Sequence, residues 1–312
     1  MEMKLRIFSI FIICLNLLLC GSAQKEIQKS REKDPQYQYN LGLFYLNNNN
    51  LDEAIKYLDR ALSLNPRHYL ALSARALAYS IKGNFQEALA SFQKCLEINP
   101  KFTEAHNYLG TIYQEMGLID KAEEEFKKAL SDKSYSSRDL PYYNLARLYF
   151  SQDKLEEALD NVQKSIQISN RLAMAHNLRG LILEKLARVP EAISSYEQAI
   201  KIVPDDVNFS FNLAVAYFKN GEFAKAGEIF ERISTKVSDE ETKNKISEYL
   251  KLIKKQKEVI PKSLLSNLRG TFSAPSISYQ FLSPWTGVSS WQFLHQFLSV
   301  LDKQFSLNFF LL

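Results

Sequence analysis

Most of the materials from which active sites are built are scarce in this chain. Its four histidines, His68, His106, His176 and His295, include no pair at metal-ligand spacing and no His-Glu-x-x-His arrangement. Three cysteines, Cys14, Cys20 and Cys95, provide no disulfide framework. There is no glycine-rich phosphate loop and no Gly-x-Ser-x-Gly elbow. These absences point away from an enzyme and imply no catalytic residue, no cofactor and no metal. Neither sign of charge dominates: 39 basic and 35 acidic residues leave a net +4, and no basic stripe with interleaved aromatics occurs, which excludes a nucleic-acid footprint and favours protein partners. Strand patterning is missing too. The longest apolar run near the start, from Ile7 to Leu19, is too short to span a bilayer comfortably.

What is present is a period. Ala54, Ala88, Ala122, Ala158, Ala192 and Ala226 stand 34, 34, 36, 34 and 34 residues apart. Twelve residues before each is another small residue, in turn Gly42, Ala76, Gly110, Ala146, Gly180 and Ala214. Four residues after each comes a large one: Leu58, Phe92, Phe126, Val162, Tyr196 or Phe230, one helical turn along the same face. A fixed period of this length means stacked supersecondary units, and 34 residues is the length of the tetratricopeptide repeat. Each unit reads as two helices, with small side chains where their axes approach. Pro66, Pro100 and Pro204 end three units, and Asn47 to Asn50, Gly83-Asn84, Gly117 and Asn220-Gly221 supply turns tolerant of left-handed backbone. The expected fold is all-α, a right-handed α-solenoid of six tetratricopeptide repeats with a C-terminal capping helix.

Repeats are placed at about 35–68, 69–102, 103–136, 139–172, 173–206 and 207–240, with a longer join at Ser131 to Pro141. The residues from 241 to 259 read as the capping helix, with Ile246, Leu250 and Ile253 on one face and many lysines elsewhere. From 260 to 312 the chain is rich in Ser and Phe, holds both tryptophans, and reads as a poorly ordered hydrophobic tail, with Leu294, Phe297, Leu298, Leu301 and Phe305 on one helical face. At the other end, Lys4 and Arg6 before the apolar run give the layout of a secretory signal over 1–23, followed by a charged tether at 24–34. Two cleavage sites compete: before Cys20, with lipidation of that cysteine, or after Ala23. The chain is expected to be exported, at the periplasmic face of the outer membrane if Cys20 carries lipid and soluble in the periplasm otherwise.

Cys95 falls at a helix-packing position that is Ala61 in repeat one and Ala129 in repeat three, so it is expected to be a small buried hydrophobe. The carboxylates Glu123, Glu124 and Glu125 sit beside lysines and read as a solvated face. The chemistry left over is a groove lined by the outward positions of each first helix. Its candidates are Tyr39, Leu43 and Leu46, then Leu70 and Leu77, then Tyr143, Phe150, Phe211 and Phe218, with polar Glu104, Asn107, Thr111 and Gln114 in the middle. Such apolar stripes mark partner sites.

Six repeats, a signal ending near a cysteine, the longer third join and Asn144-Leu145-Ala146 after it resemble the PilW family of type IV pilus biogenesis and stability proteins, the pilotins. That resemblance implies an outer-membrane lipoprotein, with Cys20 lipidated, that helps the secretin channel localise and assemble. The alternative reading is a periplasmic scaffold for another export or envelope complex. Tyr39 and Leu43 stand where repeat co-chaperones place basic residues and asparagines, so the groove is expected to lack the chemistry that holds an acidic C-terminus.

Overall fold

The computed structural model describes residues 29–259, in which every regular element is a helix. First helices are α1 (Pro35–Asn47), α3 (Tyr69–Ile81), α5 (Thr103–Glu115), α7 (Asp139–Ser151), α9 (Ala173–Lys185) and α11 (Val207–Lys219). Their hairpin partners are α2 (Leu51–Leu64), α4 (Phe85–Ile98), α6 (Ile119–Ser131), α8 (Leu155–Ile168), α10 (Val189–Ile202) and α12 (Phe223–Ser234). A last helix, α13, spans Glu240–Val259. Each second helix packs on the first helix of the next hairpin, and consecutive first helices touch one another from α1 through α11. The expected six-hairpin solenoid with its capping helix is what the chain forms.

The period acts through one contact. An added Cβ at Gly42, Gly110 or Gly180 would fall 2.5, 2.5 or 2.4 Å from Leu58 Cγ, Phe126 Cε1 or Tyr196 Cε1. The small residue is therefore where the hairpin's second helix drives its large side chain home, and Leu58, Phe92, Phe126, Val162, Tyr196 and Phe230 are all fully buried. All six periodic alanines are buried as well.

Turn geometry carries the same ladder. One residue per hairpin lies in the left-handed region: Asn49, Gly83, Gly117, Asp153, Ala187 and Gly221, with φ between 56° and 79°. Each stands five residues before a periodic alanine. Asn and Gly at four of these corners match the turn chemistry expected from sequence; Asp153 and Ala187 do not announce themselves. Caps do local work at several helix starts: Asp34 accepts from the Gln36 N–H at 2.9 Å, Asp206 from the Phe209 N–H at 2.8 Å, and His68 Nδ1 from the Ala71 N–H at 3.2 Å.

The irregular step lies between α6 and α7. Joins at 65–68, 99–102, 169–172 and 203–206 have four residues, whereas 132–138 has seven; α6 is one residue shorter than α2, α4, α8 and α10, so the step grows by two. The join is tied down. Thr103 Oγ1–H donates to Asp132 Oδ2 at 2.6 Å, Asp132 Oδ1 accepts from the Ser134 N–H at 2.9 Å, and Tyr135 is buried. Hydrogen bonds from Ser134 and then Thr103 pull the Asp132 carboxyl down to about 2, and burial pushes the Tyr135 phenol up to about 12.

α13 closes the stack with Ile246 and Ile253 buried against the core that holds Ala226 and Phe230, while Leu250 is half-buried beside them. Upstream of α1, residues 29–32 form a helical turn, and Gln38 Nε2 donates to the Glu32 carbonyl at 3.0 Å. The signal, Cys14, Cys20 and both cleavage sites lie outside the described residues, as does the tail from 260 to 312. Cys95 is fully buried, its Sγ–H donates to the Tyr69 carbonyl at 3.3 Å, and burial pushes the thiol up to about 11.

Candidate partner-binding face

All nine apolar groove candidates are half-buried. Tyr39, Leu43 and Leu46 pack against the core formed by Leu58, Ala61, Ala71 and Ala74, and the Tyr39 ring lies 4.9 Å from His68. Leu70 lies one helix along, at the start of α3; Leu77, two turns further on, packs on the next core, which includes Phe92 and Leu109. Tyr143 and Phe150 flank the core of α7, α8 and α9, around Ala146, Val162 and Leu178.

Phe211 and Phe218 differ from the expectation of a free lining. Their rings lie 6.3 and 5.2 Å from Tyr249 of α13, with Phe211 also 5.7 Å from Phe230 and Phe218 5.3 Å from Phe223. The capping helix thus lies against the sixth repeat's share of the stripe, because aromatic area there gains more from burial than from solvent. Apolar side chains that do stand out on first helices are Ile81 at 60 %, Phe44 at 59 %, Met174 at 49 % and Leu140 at 37 % exposure. Ile81 follows Leu77 and Leu140 precedes Tyr143 by about one turn, and Phe44 adjoins Leu43, so the register of the repeats would have found these three.

The polar part of the face is more organised than the sequence reading allowed. Asn144 Nδ2 donates to Asn107 Oδ1 at 3.0 Å, joining α7 to α5, and Asn212 Nδ2 donates to Asn177 Oδ1 at 2.9 Å, joining α11 to α9. Asparagines therefore do stand on the first helices of repeats three to six, whereas the place of Tyr39 is Ser73, Tyr143 and Phe211 in repeats two, four and six. Asn107 and Asn177 are one position of the repeat, Asn144 and Asn212 the next, and that register is the signal that was missed. Gln114 Oε1, one helical position group further along α5, is buried with no hydrogen-bond partner.

Cations on this side are mostly spoken for. Lys185 pairs with Asp153 at 2.8 Å and lies 5.1 Å over the Phe150 ring, and Lys219 pairs with Glu184. Arg147 lies 5.9 Å over the Tyr143 ring and makes no ion pair among the described residues. Burial raises the Tyr143 phenol above its ordinary value, and the Arg147 charge works against that rise.

Behind the first helices, side chains tie the hairpins together. Glu123 and Glu125 are not simply solvated: the Tyr149 hydroxyl donates to Glu123 Oε1 at 2.8 Å, and His106 Nδ1 lies 2.7 Å from Glu125 Oε2. Arg179 Nε donates to Ser195 Oγ at 2.9 Å and its Nη1 to Gln163 Oε1 at 3.3 Å, at a cleft of about 500 Å³. Arg75 repeats that arrangement three hairpins earlier, with Asp59 at 2.8 Å and Ser91 at 3.1 Å. His176 is buried, with Nε2 3.0 Å from the Asn170 carbonyl, a packing role. Among the described residues no cluster of His, Cys, Asp and Glu is arranged to hold a metal ion, and no helix is long and apolar enough to cross a membrane.

A stack of near-identical helical hairpins with one continuous face of first helices defines an α-solenoid scaffold. Its family follows from comparison with known proteins. Tetratricopeptide-repeat family models match residues 41–107, 81–134, 142–173, 188–221 and 210–239, and the chain is a tetratricopeptide-repeat protein. The matches break at 134 and resume at 142, across the longer join. The TPR repeat-containing protein MJ1428 of Methanocaldococcus jannaschii is 30 % identical over 109 residues, which is 35 % of this chain and 19 % of that relative. Among solved structures, PilF of Pseudomonas aeruginosa has a TM-score of 0.61 at 17 % identity, covering 70 % of this chain and 98 % of PilF. PilW, a widely conserved type IV pilus biogenesis factor, has a TM-score of 0.59 at 18 % identity, over 64 % of this chain and 92 % of PilW. The Cut9–Hcn1 hetero-tetramer of the APC/C scores 0.62 at 17 % identity, over 71 % of this chain and 43 % of that chain. At these identities the structural likenesses establish the fold.

Proposed function

We propose that this chain is a non-catalytic scaffold whose first-helix face holds a subunit of an envelope complex, and that type IV pilus assembly is the process it serves. The observation that carries the reading is size: the six-hairpin stack covers nearly the whole of PilF and of PilW, rather than a module of a longer array. In this reading the secretory signal exports the chain and is cleaved before Cys20, lipid on Cys20 holds it at the periplasmic face of the outer membrane, and a secretin is the subunit held. A second acyl chain or a protein contact completes stable anchoring, since one chain alone binds reversibly.

Crosslinked pull-down from the native envelope tests the partner. A secretin should be recovered, and Tyr39→Ala with Phe150→Ala should lose it; secretin multimers unaffected by deletion of the gene would reject the pilus role. Metabolic labelling with a fatty acid tests the anchor, and equal labelling of wild type and Cys20→Ser would reject it. The likeness to Cut9 favours one alternative, a scaffold for an envelope complex unrelated to pili, because the same stack serves an assembly of another kind.

A further inference from the structure

We infer that the open end of the stack, the side of α1 that no hairpin covers, rests on the headgroup layer of an anionic bilayer. This rests on the reading of the chain as an envelope protein and adds a contact that the fold itself makes, apart from any lipid on Cys20.

Repeat register defines the face. Tyr37, Leu41 and Phe44 share one side of α1 at helical spacing. At the place of Phe44 the later first helices carry Ala78, Ile112, Leu148, Ile182 and Ala216, none more than 1 % exposed, whereas Phe44 is 59 % exposed. At the place of Tyr37 they carry Ala71, Ala105, Pro141, Ala175 and Phe209, all buried. What buries them is the second helix of the hairpin before: Ala71 packs with Leu58 and Ala61, and Ile182 with Val162. Among the described residues no such helix precedes α1, and Phe44 meets solvent. Tyr37 and Leu41 line an open cleft of about 690 Å³ together with Tyr57, Lys56 and Arg60. The other end of the stack is closed, with Ile246 and Ile253 of α13 buried there.

Charge selects what covers it. Asp52 and Asp59 are neutralised from the next hairpin, by Lys82 and Arg75, and Glu53 pairs with Lys56. Asp34 accepts from the Gln36 N–H. Lys29, Arg31, Lys33 and Arg60 are exposed and make no ion pair among the described residues. The end is therefore aromatic at its centre and cationic at its margin, with Arg31 6.0 Å over the Tyr37 ring and Lys56 5.4 Å over the Tyr57 ring. Tyrosine rings settle at the headgroup level of a membrane, and Lys and Arg lay their stems along apolar surface while their charges reach the phosphates. A protein partner fits less well, because lysine is depleted from protein interfaces. Cys20 stands fifteen residues before Pro35, so a lipid there would hold this end within about 50 Å of the bilayer.

The experiment uses the purified full chain with Cys14→Ser and Cys20→Ser, so that no lipid enters, and a nitrobenzoxadiazole probe on Asn40→Cys. Asn40 is exposed one turn from Tyr37 and Phe44, and the remaining Cys95 is buried. Vesicles of phosphatidylglycerol and phosphatidylethanolamine in about equal parts should shift the probe's emission to the blue. Vesicles of phosphatidylcholine should do so far less, and added salt should reverse the shift. The readout is local, so apolar stretches elsewhere in the chain do not contribute to it. Phe44→Ser should raise the lipid concentration at half-shift about tenfold, and Arg31→Ser with Arg60→Ser about tenfold or more, both with unchanged far-ultraviolet circular dichroism. No shift, a shift untouched by these variants, or a shift of the same probe on Asn244→Cys of α13 in its place would each overturn the inference. So would a shift that grows with protein concentration in the absence of vesicles, which marks a second copy as the occupant, or one that poly-glutamate produces equally, which marks an acidic protein. These outcomes do not touch the secretin crosslink; equal fatty-acid labelling of wild type and Cys20→Ser rejects only the lipid anchor and leaves the probe result standing.

Discussion

Gly180→Ala isolates the contact that the repeat period encodes. The new Cβ would lie 2.4, 2.6 and 2.7 Å from Cε1, Cδ1 and Cζ of Tyr196, a fully buried ring. That ring cannot retreat freely, because its hydroxyl donates to Glu184 Oε2 at 2.9 Å. Overpacking of this kind costs about 1–3 kcal/mol, while Ala in place of Gly in a helix interior returns about 1 kcal/mol. The two effects oppose each other, so a single variant is a weak test. A double-mutant cycle removes the ambiguity, since helix propensity is the same in both backgrounds and cancels. Repeat four supplies the second substitution: there Ala146 coexists with Val162 at the equivalent places. In a Tyr196→Val background, Gly180→Ala should stabilise by about 1 kcal/mol, whereas in wild type it should be neutral to destabilising, for a coupling of about 1–3 kcal/mol. Urea unfolding followed by circular dichroism at 222 nm measures it, with the denaturant slope monitored because repeat arrays can lose cooperativity. A coupling within about 0.5 kcal/mol of zero would mean that the glycine is there for some reason other than the tyrosine.

Three further outcomes are expected. Ala187 holds a left-handed φ of 58° at which a Cβ is unfavourable by about 1–2 kcal/mol, so Ala187→Gly should raise the urea midpoint, whereas Gly221→Ala, at 79°, should lower it. The folded Asp132 carboxyl titrates at about 2, below its ordinary 3.8, so its contribution is fully present above pH 3.8 and is lost as pH falls toward 2. Asp132→Asn should therefore flatten the dependence of the urea midpoint on pH in that window; an unchanged slope would show that the join is not held by this carboxylate. Cys95, in a Cys14→Ser, Cys20→Ser background, should react with a thiol reagent at pH 8 only as fast as the protein opens, because the thiol is buried and its pKa lies at about 11.

The fold was readable because its information is repeated. Gly42, Ala54 and Leu58 pose a packing relation that recurs six times, and a relation met six times survives any one exception, such as the small Val162 where the other repeats have leucine or an aromatic. The face was read less well, for two physical reasons. Asn107 and Asn144 are 37 residues apart and Asn177 and Asn212 are 35 apart, so each pair exists only once neighbouring first helices are laid side by side. Phe211 and Phe218 share their repeat positions with Tyr39 and Leu46, but only in the sixth repeat does the next helix along the chain, α13, bring Tyr249 onto them. Ala187 was illegible because the stack around it dictates the corner, and a residue with no preference of its own complies.

The left-handed corner has a consequence for how such a molecule can change. It sits inside every hairpin, five residues before the periodic alanine, while the net gain of two residues in the irregular step comes from the join between hairpins, 132–138, after α6 ends one residue early. Hairpins are therefore interchangeable blocks, and the couplings between them are where slack is tolerated. A face built this way behaves as a ruler graduated in whole repeats: excising residues 173–206 would not blur its spacing but delete one division, removing Asn177 and leaving Asn212 to face Tyr143.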